Sequence, residues 1–452
     1  MDAKVNTVQE GSVWQVMDCI YRRQSSEMAP DALAHARRAW LDTLACMVGG
    51  AGEPVARVAA RASKGNSAES SALILGAASH ALDYDDVCML ATCHPSAPVV
   101  SALLAWVDRV DGDVQLSDLL AAHLVGTEIM LRLGAWLGFR HYALGFHATS
   151  TLGVIGAAAA CAHLSRLSVS QLHTALAIAA SSAGGLRANF GTDTKPLHVG
   201  FAASDALRAL ALTLGGATAS DDALPAFASA FTGGGALGPI PFDANTPWAV
   251  LAPGFEIKRY PSCYMTHRMI AGILKLRERH MPVFGADPAR ISVLFPPGGT
   301  APLKHPQPTK GLEAKFSAPY CAAAAWVDGA VGLGSFTDEA VLRADLRKQM
   351  SEVVVAEREG SHEPLELAPV RVTVETGSGA ETLLVDWAPG SLQDEVSDRD
   401  LLAKWADCSL KSGIALDTEV AVSLIESPMD TNFKGWLSAI KTALHRHAAK
   451  AI

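Results

Sequence analysis

The chain has 452 residues and a formal net charge of −9, with 49% hydrophobic and 18% charged residues. Its mean hydropathy of +0.20 is too high for an intrinsically disordered protein, and the acidic balance without a basic block argues against nucleic acid as the main partner. Because a single hydrophobic core stops growing at about 250–300 residues, this length favours two domains.

The apolar runs and the N-terminus give no sign of a membrane span or a secretion signal. The longest apolar runs, such as residues 152–162, are shorter than the roughly 18–20 residues that a span needs. The first fifteen residues lack a basic start followed by an apolar stretch. The eight cysteines are scattered, which is typical of reduced thiols. We therefore expect a cytoplasmic protein that does not bind membranes.

The first half of the chain alternates alanine-rich apolar stretches with short interruptions of glycine, serine and histidine. Alanine is the strongest helix former, so this texture predicts a bundle of α-helices. The Gly215-Gly216 pair is typical of a helix end and closes the last of the stretches. The six predicted helices are Pro30–Gly49, Ser96–Val110, Ser117–Leu137, Thr149–Leu164, Ser168–Ala183 and Pro196–Gly215.

The residue pattern changes after about Met265, where short runs of β-branched residues predict strands. The four predicted strands are Ile291–Phe295, Ser351–Ala356, Pro369–Glu375 and Thr382–Asp386. Residues 376–380 lie between the last two and predict a hairpin loop. Helices are predicted over Pro319–Leu333 and Thr337–Met350 and, in the tail, over Val396–Lys411 and Trp436–Lys450.

The sequence therefore predicts a mainly α fold with two domains. Residues 1–265 form a large all-helical domain, and residues 266–395 form a smaller α+β domain. We expect the C-terminal helices, within 396–452, to return to the helical domain or to pack along its seam.

The first candidate segment for chemistry runs from His80 to Ser96. Three carboxylates, those of Asp83, Asp85 and Asp86, fall within a span of four residues that lies in an apolar region. His94 follows eight residues later. Burial raises the pKa of a carboxyl group and a nearby cation lowers it, so such a cluster is a candidate general base. His94 titrates in the useful range. The alternative is that Asp85 and Asp86 cap helices or face water.

The second and third segments place basic side chains at helix starts. His147 precedes an alanine-rich helix, Lys195 lies at the entrance of a helix that Pro196 opens, and His198 follows about one turn later. Helix N-termini carry partial positive charge and attract anions. Each histidine alone is as consistent with a core or capping role. Together the segments predict a pocket for a polyanion, and we expect a small polycarboxylate.

The fourth and fifth segments supply further candidates. Lys258 and Arg259 precede a Tyr-Pro turn and could clamp a carboxylate, or they could be a solvated pair at a domain junction. Cys263 lies within the same turn. Tyr320 opens an apolar helix, where it could donate a proton or simply pack in the core.

Taken together, these five segments resemble the MmgE/PrpD family. The motifs occur in the family's order between residues 80 and 320, and the flanking lengths fit, so the resemblance covers essentially the whole chain. The matching motifs are H-A-L-D-Y-D-D then H-P-S, G-F-H-x-T-S-T-L-G, G-T-x-T-K-P-L-H-x-G, K-x-Y-P-S-C and G-L-E-A-K-F-S-x-x-Y.

The resemblance implies a helical domain with a smaller α+β domain covering the active site, a homodimer, and catalysis without a metal or an organic cofactor. Known members include 2-methylcitrate dehydratase, cis-aconitate decarboxylase and iminodisuccinate epimerase, which all act on small polycarboxylates. Carried over by motif, the family's pocket corresponds here to Asp83, His94, His147, Lys195, Lys258 and Tyr320.

Two departures bear on the reaction. Val87 and Cys263 stand where the decarboxylase has threonine and histidine, which argues against cis-aconitate decarboxylation. The spacing from Asp83 to His94 and the P-S-C-Y-x-x-H run are similar to the iminodisuccinate epimerase branch. We expect abstraction of a proton next to a carboxylate, in an epimerase, an isomerase or a hydro-lyase.

In the expected mechanism Lys195, Lys258 and Arg259 hold carboxylates, with His198 and Cys263 as further substrate contacts. His94 or His147 is the base, Asp83 orients an imidazole or acts itself, and Tyr320 or the second histidine is the acid.

Three alternatives stay open: a decarboxylase, a non-catalytic polycarboxylate-binding protein, and a hydrated-metal lyase. The possible metal ligands would be His80, Asp83, Cys88, Cys93 and His94, but their spacing matches no structural zinc pattern.

Overall fold

The computed structural model describes residues 12–450 except for 64–66, 235–236, 244, 281–288, 361–364, 366–367, 378 and 415–417. Residue 378, in the predicted hairpin loop, thus lies outside the described residues. Helices dominate the described part of the chain, and one small sheet lies in its C-terminal half, so the predicted mainly α fold class is confirmed.

The N-terminal region is helical, as predicted. Its helices are α1 (Val13–Tyr21), α2 (Pro30–Gly50), α3 (Pro54–Ala62), α4 (Ala68–His80), α5 (Ser96–Trp106), α6 (Leu116–Ala143), α7 (Ala148–Thr151), α8 (Gly153–Leu164), α9 (Val169–Ser181), α10 (Thr194–Leu214) and α11 (Ala223–Phe231). All six predicted helices are present. The predicted 149–164 helix is broken at Leu152 into α7 and α8, and α1, α3, α4 and α11 are additional.

Helices α4 and α10 pack closely against each other at the centre of the bundle. A Cβ atom added at Gly76 of α4 would lie 2.6 Å from the Cα atom of Gly200 in α10, so only glycine permits this approach. Helix α4 ends at His80, and Lys195 lies in the first turn of α10. The contact therefore brings two candidate site residues, distant in sequence, to the same end of the bundle.

By length and composition, α10 is the one helix of the described residues that could cross a membrane. It packs against α4, α5, α8 and α9, as a core helix does. The expectation that the protein does not bind membranes stays a prediction.

The close approach of α4 and α10 gives a first prediction. Replacing Gly76 by alanine should lower the free energy of unfolding by about 1–3 kcal/mol, because backbone atoms must move apart to admit the methyl group. Thermal or denaturant unfolding measures the change. Gly435→Ala is the control, since this exposed helical glycine has no described atom within 4 Å of an added Cβ. An unchanged Gly76→Ala melting curve would contradict the packing argument.

The α+β region contains helices α12 (His267–His280), α13 (Gly311–Ala314), α14 (Ala318–Asp328), α15 (Asp338–Val341) and α16 (Ala344–Met350). Its strands are β1 (Arg290–Phe295), β2 (Val353–Glu357), β3 (Val370–Thr376) and β4 (Gly379–Val385). All four predicted strands are confirmed with small shifts of their ends. The predicted 337–350 helix is two helices, because Arg343 between them has extended backbone angles.

The strands form one sheet in the order β2-β1-β3-β4. Strand β1 pairs parallel with β2 and antiparallel with β3, while β3 and β4 pair antiparallel as the predicted hairpin. Alternate residues of β1, Ile291, Val293 and Phe295, are buried, and helices α12 and α14 pack near this sheet. This pattern is that of a sheet with one face on a hydrophobic core.

The tail forms α17 (Asp398–Ser412), α18 (Thr418–Glu426) and α19 (Lys434–Lys450). Helices α17 and α18 pack on α2, and α19 packs on α3, α4 and α5, so the tail returns to the helical region. One apolar cluster takes in residues 13–257 together with 396–444, and a second takes in residues 269–374. The domain boundaries near 265 and 395 stay a prediction.

Candidate active site

A cavity with about 530 Å³ of empty space is lined by residues from both regions of the chain. Three of the five motif segments contribute side chains to it from the helical region, and the other two contribute from residues after 257. Of the predicted catalytic and substrate-binding residues, those that line it are Asp83, His94, His147, Lys195, Lys258 and Cys263. The structure thus brings together most of the predicted site.

Asp83 lies between two lysine ammonium groups. Its Oδ1 atom accepts hydrogen bonds from Nζ of Lys195 at 2.7 Å and from Nζ of Lys258 at 3.0 Å. Lys258 also donates to the main-chain carbonyl oxygen of Asp83 at 2.9 Å. Burial alone would raise the pKa of Asp83, but the two lysines outweigh it and hold the pKa well below its usual range. Asp83 is therefore an ionised partner of the lysines and not a proton acceptor.

This group has one more positive charge than negative. Asp83 has a backbone φ of +50°, a conformation that side chains rarely adopt and that is often found at functional sites. Its Oδ2 atom accepts no hydrogen bond from the residues that the structure describes. A lysine pair fixed in this way at the wall of a cavity can receive a carboxylate from outside.

Asp85 orients two imidazoles. Its carboxylate lies 2.9 Å from Nδ1 of His80 and 3.2 Å from Nδ1 of His94. Burial alone would raise the pKa of Asp85, but the imidazoles outweigh it and lower the pKa well below its usual range. Because an ionised carboxylate only accepts, Nδ1 carries the proton in both rings, and Nε2 carries a lone pair. Asp85 therefore neither caps a helix nor faces water.

Asp86 follows the alternative interpretation. Its carboxylate accepts from the main-chain N–H of Ser96 at 3.2 Å, and Ser96 begins α5. It is buried, and it does not line the cavity. Asp86 therefore satisfies the first N–H group of α5 and lies outside the cavity wall.

His94 is the side chain best placed to take a proton. Its ring lines the cavity, with Nε2 3.8 Å from Oδ1 of Asp83, and its main-chain N–H donates to Thr149 at 3.1 Å. Burial lowers the pKa of His94, and although the Asp85 carboxylate opposes this shift, Lys258 and Lys195 add to it and the pKa stays below its usual value. The imidazole is thus neutral at neutral pH and its Nε2 can accept a proton.

His147 lines the same cavity and contacts a second histidine behind it. Its Nδ1 lies 3.0 Å from Nδ1 of His198. Burial, followed by Lys195, lowers the pKa of His147 well below its usual range and that of His198 to about 4. His198 itself lines a different cavity, so the structure does not place it among the substrate contacts as predicted.

Tyr320 and Arg259 are not brought to the cavity. Tyr320 is fully buried in the core of the α+β region, where its hydroxyl donates to the carbonyl of Ser335. The side chain of Arg259 is 46% exposed and pairs with Asp400 at 3.1 Å. The structure therefore matches the alternative interpretations, in which Tyr320 packs in the core and Arg259 is a solvated cation.

Aromatic lining residues were missed in the sequence analysis. Nζ of Lys195 lies 5.2 Å from the ring centroid of Phe190 and 5.1 Å from that of Phe316, and the faces of aromatic rings attract cations. The Tyr264 hydroxyl is buried without a hydrogen-bond partner among the described residues, and its side chain lines the cavity. Tyr264 is a better candidate donor than Tyr320, and its place inside the P-S-C-Y run was the available signal.

Two further buried lysines hold the backbone of the site. Lys315 donates to the carbonyl oxygens of Leu82 at 2.5 Å and Pro261 at 2.9 Å, and burial lowers its pKa to about 8. Lys404, from α17, donates to Tyr84 at 2.6 Å and to Lys258 at 3.2 Å, again at carbonyl oxygens. They join the Asp83 segment to the Lys258 segment from two sides.

One group of potential metal ligands is present among the described residues. Donor atoms of His80, Asp83, Asp85 and His94 lie within 4.8 Å of one another, whereas Cys88 and Cys93 are not part of the group. Asp83 is engaged by two ammonium groups, and Asp85 accepts from two imidazoles. A divalent cation would have to displace these partners, so the arrangement favours proton transfer over metal binding.

The chain matches two family models and several curated proteins. Residues 15–234 match the MmgE/PrpD N-terminal domain, and residues 260–419 match the MmgE/PrpD C-terminal domain. Human cis-aconitate decarboxylase is 32% identical over 294 residues, which are 62% of this chain and 60% of the human protein. The mouse enzyme is 31% identical over 294 residues, with 59% of its length covered. The chain therefore spans about 60% of the length of these two relatives.

A fungal relative is covered more fully. The cis-aconitate decarboxylase-like protein oryM of Aspergillus oryzae is 25% identical over 438 residues, which are 88% of this chain and 90% of that protein. The similarity therefore extends through both the helical and the α+β region. At this identity it supports a common architecture more strongly than a common reaction.

Proposed function

The chain belongs to the MmgE/PrpD family, and on that premise we propose that it is a cofactor-independent enzyme that moves a proton at the carbon next to a carboxylate of a small polycarboxylate. The observation that carries this proposal is the neutral His94, oriented by Asp85, in the same cavity wall as the lysine pair. A base next to fixed positive charge is what abstraction of a weakly acidic C–H proton requires.

In the proposed mechanism a substrate carboxylate binds at Lys195 and Lys258. Nε2 of His94 removes the proton from the adjacent carbon, and the charge that develops on the carboxylate oxygens is stabilised by the two ammonium groups. His147 returns a proton from its own side of the cavity. Return to the same carbon gives epimerisation, whereas loss of a hydroxyl from the neighbouring carbon gives dehydration.

Decarboxylation is a second candidate, because the curated relatives are named for it. In that reaction the bond to the leaving carboxylate breaks, its electron pair stays on carbon, and a proton is then delivered there. Val87 and Cys263, the positions at which the sequence departs from the decarboxylase, both line the cavity. The change in polarity at two wall positions favours a substrate or outcome different from that of the decarboxylase.

The test is proton NMR in D₂O with metal-free protein and a panel of 2-methylcitrate, citrate, cis-aconitate, malate and iminodisuccinate. Deuterium entering next to a carboxylate is the expected result. Water loss identifies a dehydratase, inverted configuration at constant mass an epimerase, and released CO₂ a decarboxylase. Binding of panel members without any exchange would contradict the proposal and would favour a polycarboxylate-binding protein.

The lowered pKa of His94 predicts the pH dependence. Below that pKa the imidazole is protonated and cannot act as base, so kcat/KM should fall on the acid side only at pH values below 6.5, the usual histidine value. The exchange rate measured across pH checks this, with the substrate's own pKa values titrated separately as the control. An acid limb centred at or above pH 6.5 would be inconsistent with His94 as the buried base.

A further inference from the structure

A second cavity is lined by His198, the histidine whose Nδ1 lies 3.0 Å from Nδ1 of His147. It has about 710 Å³ of empty space, and its wall includes Ser150, Asn189, His198 and Asp205. Its rim residues, Ser182 and Gly184 among them, are exposed, so this cavity opens to solvent. The function proposed above gives it no role.

The His147–His198 pair connects the two cavities. His147 lines the active-site cavity, His198 lines the second one, and their Nδ1 atoms lie 3.0 Å apart. Main-chain contacts fix both residues: the N–H of His147 donates to the carbonyl of Gly185 at 3.0 Å, and the Ser150 hydroxyl donates to the carbonyl of His198 at 3.1 Å. The two histidines thus form a fixed hydrogen-bonded connection between the active-site cavity and the second cavity.

A hydrogen bond between two Nδ1 atoms exists in only two neutral forms. Either His147 donates and its Nε2 is free to accept a proton, or His198 donates and Nε2 of His147 carries a proton. Three proton transfers in the same direction convert one form into the other: one at Nε2 of His147, one between the two Nδ1 atoms and one at Nε2 of His198. The pair remains uncharged. A buried pair next to Lys195 has a strong electrostatic reason to stay neutral.

We propose that His198 relays protons between His147 and water in the second cavity. When Nε2 of His147 gives its proton to the substrate, the Nδ1 proton of His198 passes to Nδ1 of His147, and a proton from water in the second cavity moves to Nε2 of His198. Uptake of a proton from the substrate by His147 is the reverse sequence. This rests on the proposed function, and it makes His198 a positioning and relay residue that does not touch substrate.

The test compares His198→Leu and His198→Gln with the parent protein. Leucine removes the hydrogen bond, whereas glutamine can keep one but cannot pass a proton through two nitrogens. Deuterium incorporation is followed by NMR in D₂O with the panel member that the parent turns over. Asn189→Ala, also in the wall of the second cavity, is the control. Each variant is measured with and without added imidazole, which is small enough to enter this cavity.

Both His198 variants should lose at least about 10-fold in exchange rate, with KM little changed, and imidazole should restore part of the loss. Asn189→Ala should match the parent. Exchange at the parental rate in either His198 variant, or a loss that imidazole does not reduce, would overturn the relay while leaving proton abstraction intact. If the parent protein exchanges no proton with any panel member, the proposed function fails, and the relay fails with it.

Discussion

Replacing His94 by glutamine is expected to lower turnover by at least about 100-fold, the lower end of the range for acid–base groups. Glutamine is similar in size, yet it cannot take a proton from carbon. Nδ1 of His94 lies 3.3 Å from the main-chain carbonyl oxygen of Asp85 and 3.2 Å from its carboxylate, and because these contacts are confined to one residue, we expect the fold to survive the change. The rate of deuterium incorporation into the substrate measures the effect.

A matched control exists on the surface of the helical region. His173 pairs with Asp18 at 2.7 Å, which is also a histidine–aspartate contact but does not line the active-site cavity. His173→Gln should therefore match the parent. Near-parental turnover in both His94→Gln and His147→Gln would contradict the assignment of this cavity as the active site.

Replacing Lys195 by alanine should lower turnover by about 100-fold to 1000-fold, the cost of removing one preorganised donor from developing negative charge. Two effects act together. The substrate loses an ammonium partner, and Asp83 is left with Lys258 alone, so the wall changes from net positive to neutral. Turnover and substrate affinity are measured with the melting temperature, because a buried carboxylate that loses a partner also destabilises the fold.

Arg259→Ala is the control. It also tests whether Arg259 binds the substrate carboxylates together with the lysines. The sequence predicts that Lys258 and Arg259 both hold substrate carboxylates, whereas in the structure Arg259 pairs with Asp400. We expect Arg259→Ala to keep parental turnover. A loss as large as that of Lys195→Ala would reinstate Arg259 as a substrate contact and would contradict the site as described.

The motifs predicted the charged and titratable side chains of the cavity wall, whereas its aromatic and apolar residues were missed. Lys195 is an example: Pro196 locates the beginning of α10, so the position of the lysine follows from helix geometry. The strands after Met265 were also predictable, since β-branched runs between polar loops have few other interpretations.

The sequence did not show in which direction several of the candidate side chains point. Helix α14 is buried on nearly every side, so it has no apolar stripe from which the direction of Tyr320 could be inferred. Lys258 and Arg259 are neighbours in a segment that is neither helix nor strand, so no periodicity in the sequence indicates which of them faces the cavity. Asp85 resembled a capping residue because aspartate commonly caps helices, and the sequence does not show that the rings of His80 and His94 turn toward it.

The contacts of Lys404 have a consequence for when the candidate active site is assembled during synthesis of the chain. The carbonyl of Tyr84 that Lys404 holds lies 320 residues earlier in the chain. At a translation rate of about 5–20 residues per second, that separation corresponds to roughly a quarter of a minute to a minute. A nascent chain on the ribosome can therefore complete its α4–α10 packing long before the Asp83 and Lys258 segments are held in register. The candidate active site is then one of the last parts of the fold to be assembled.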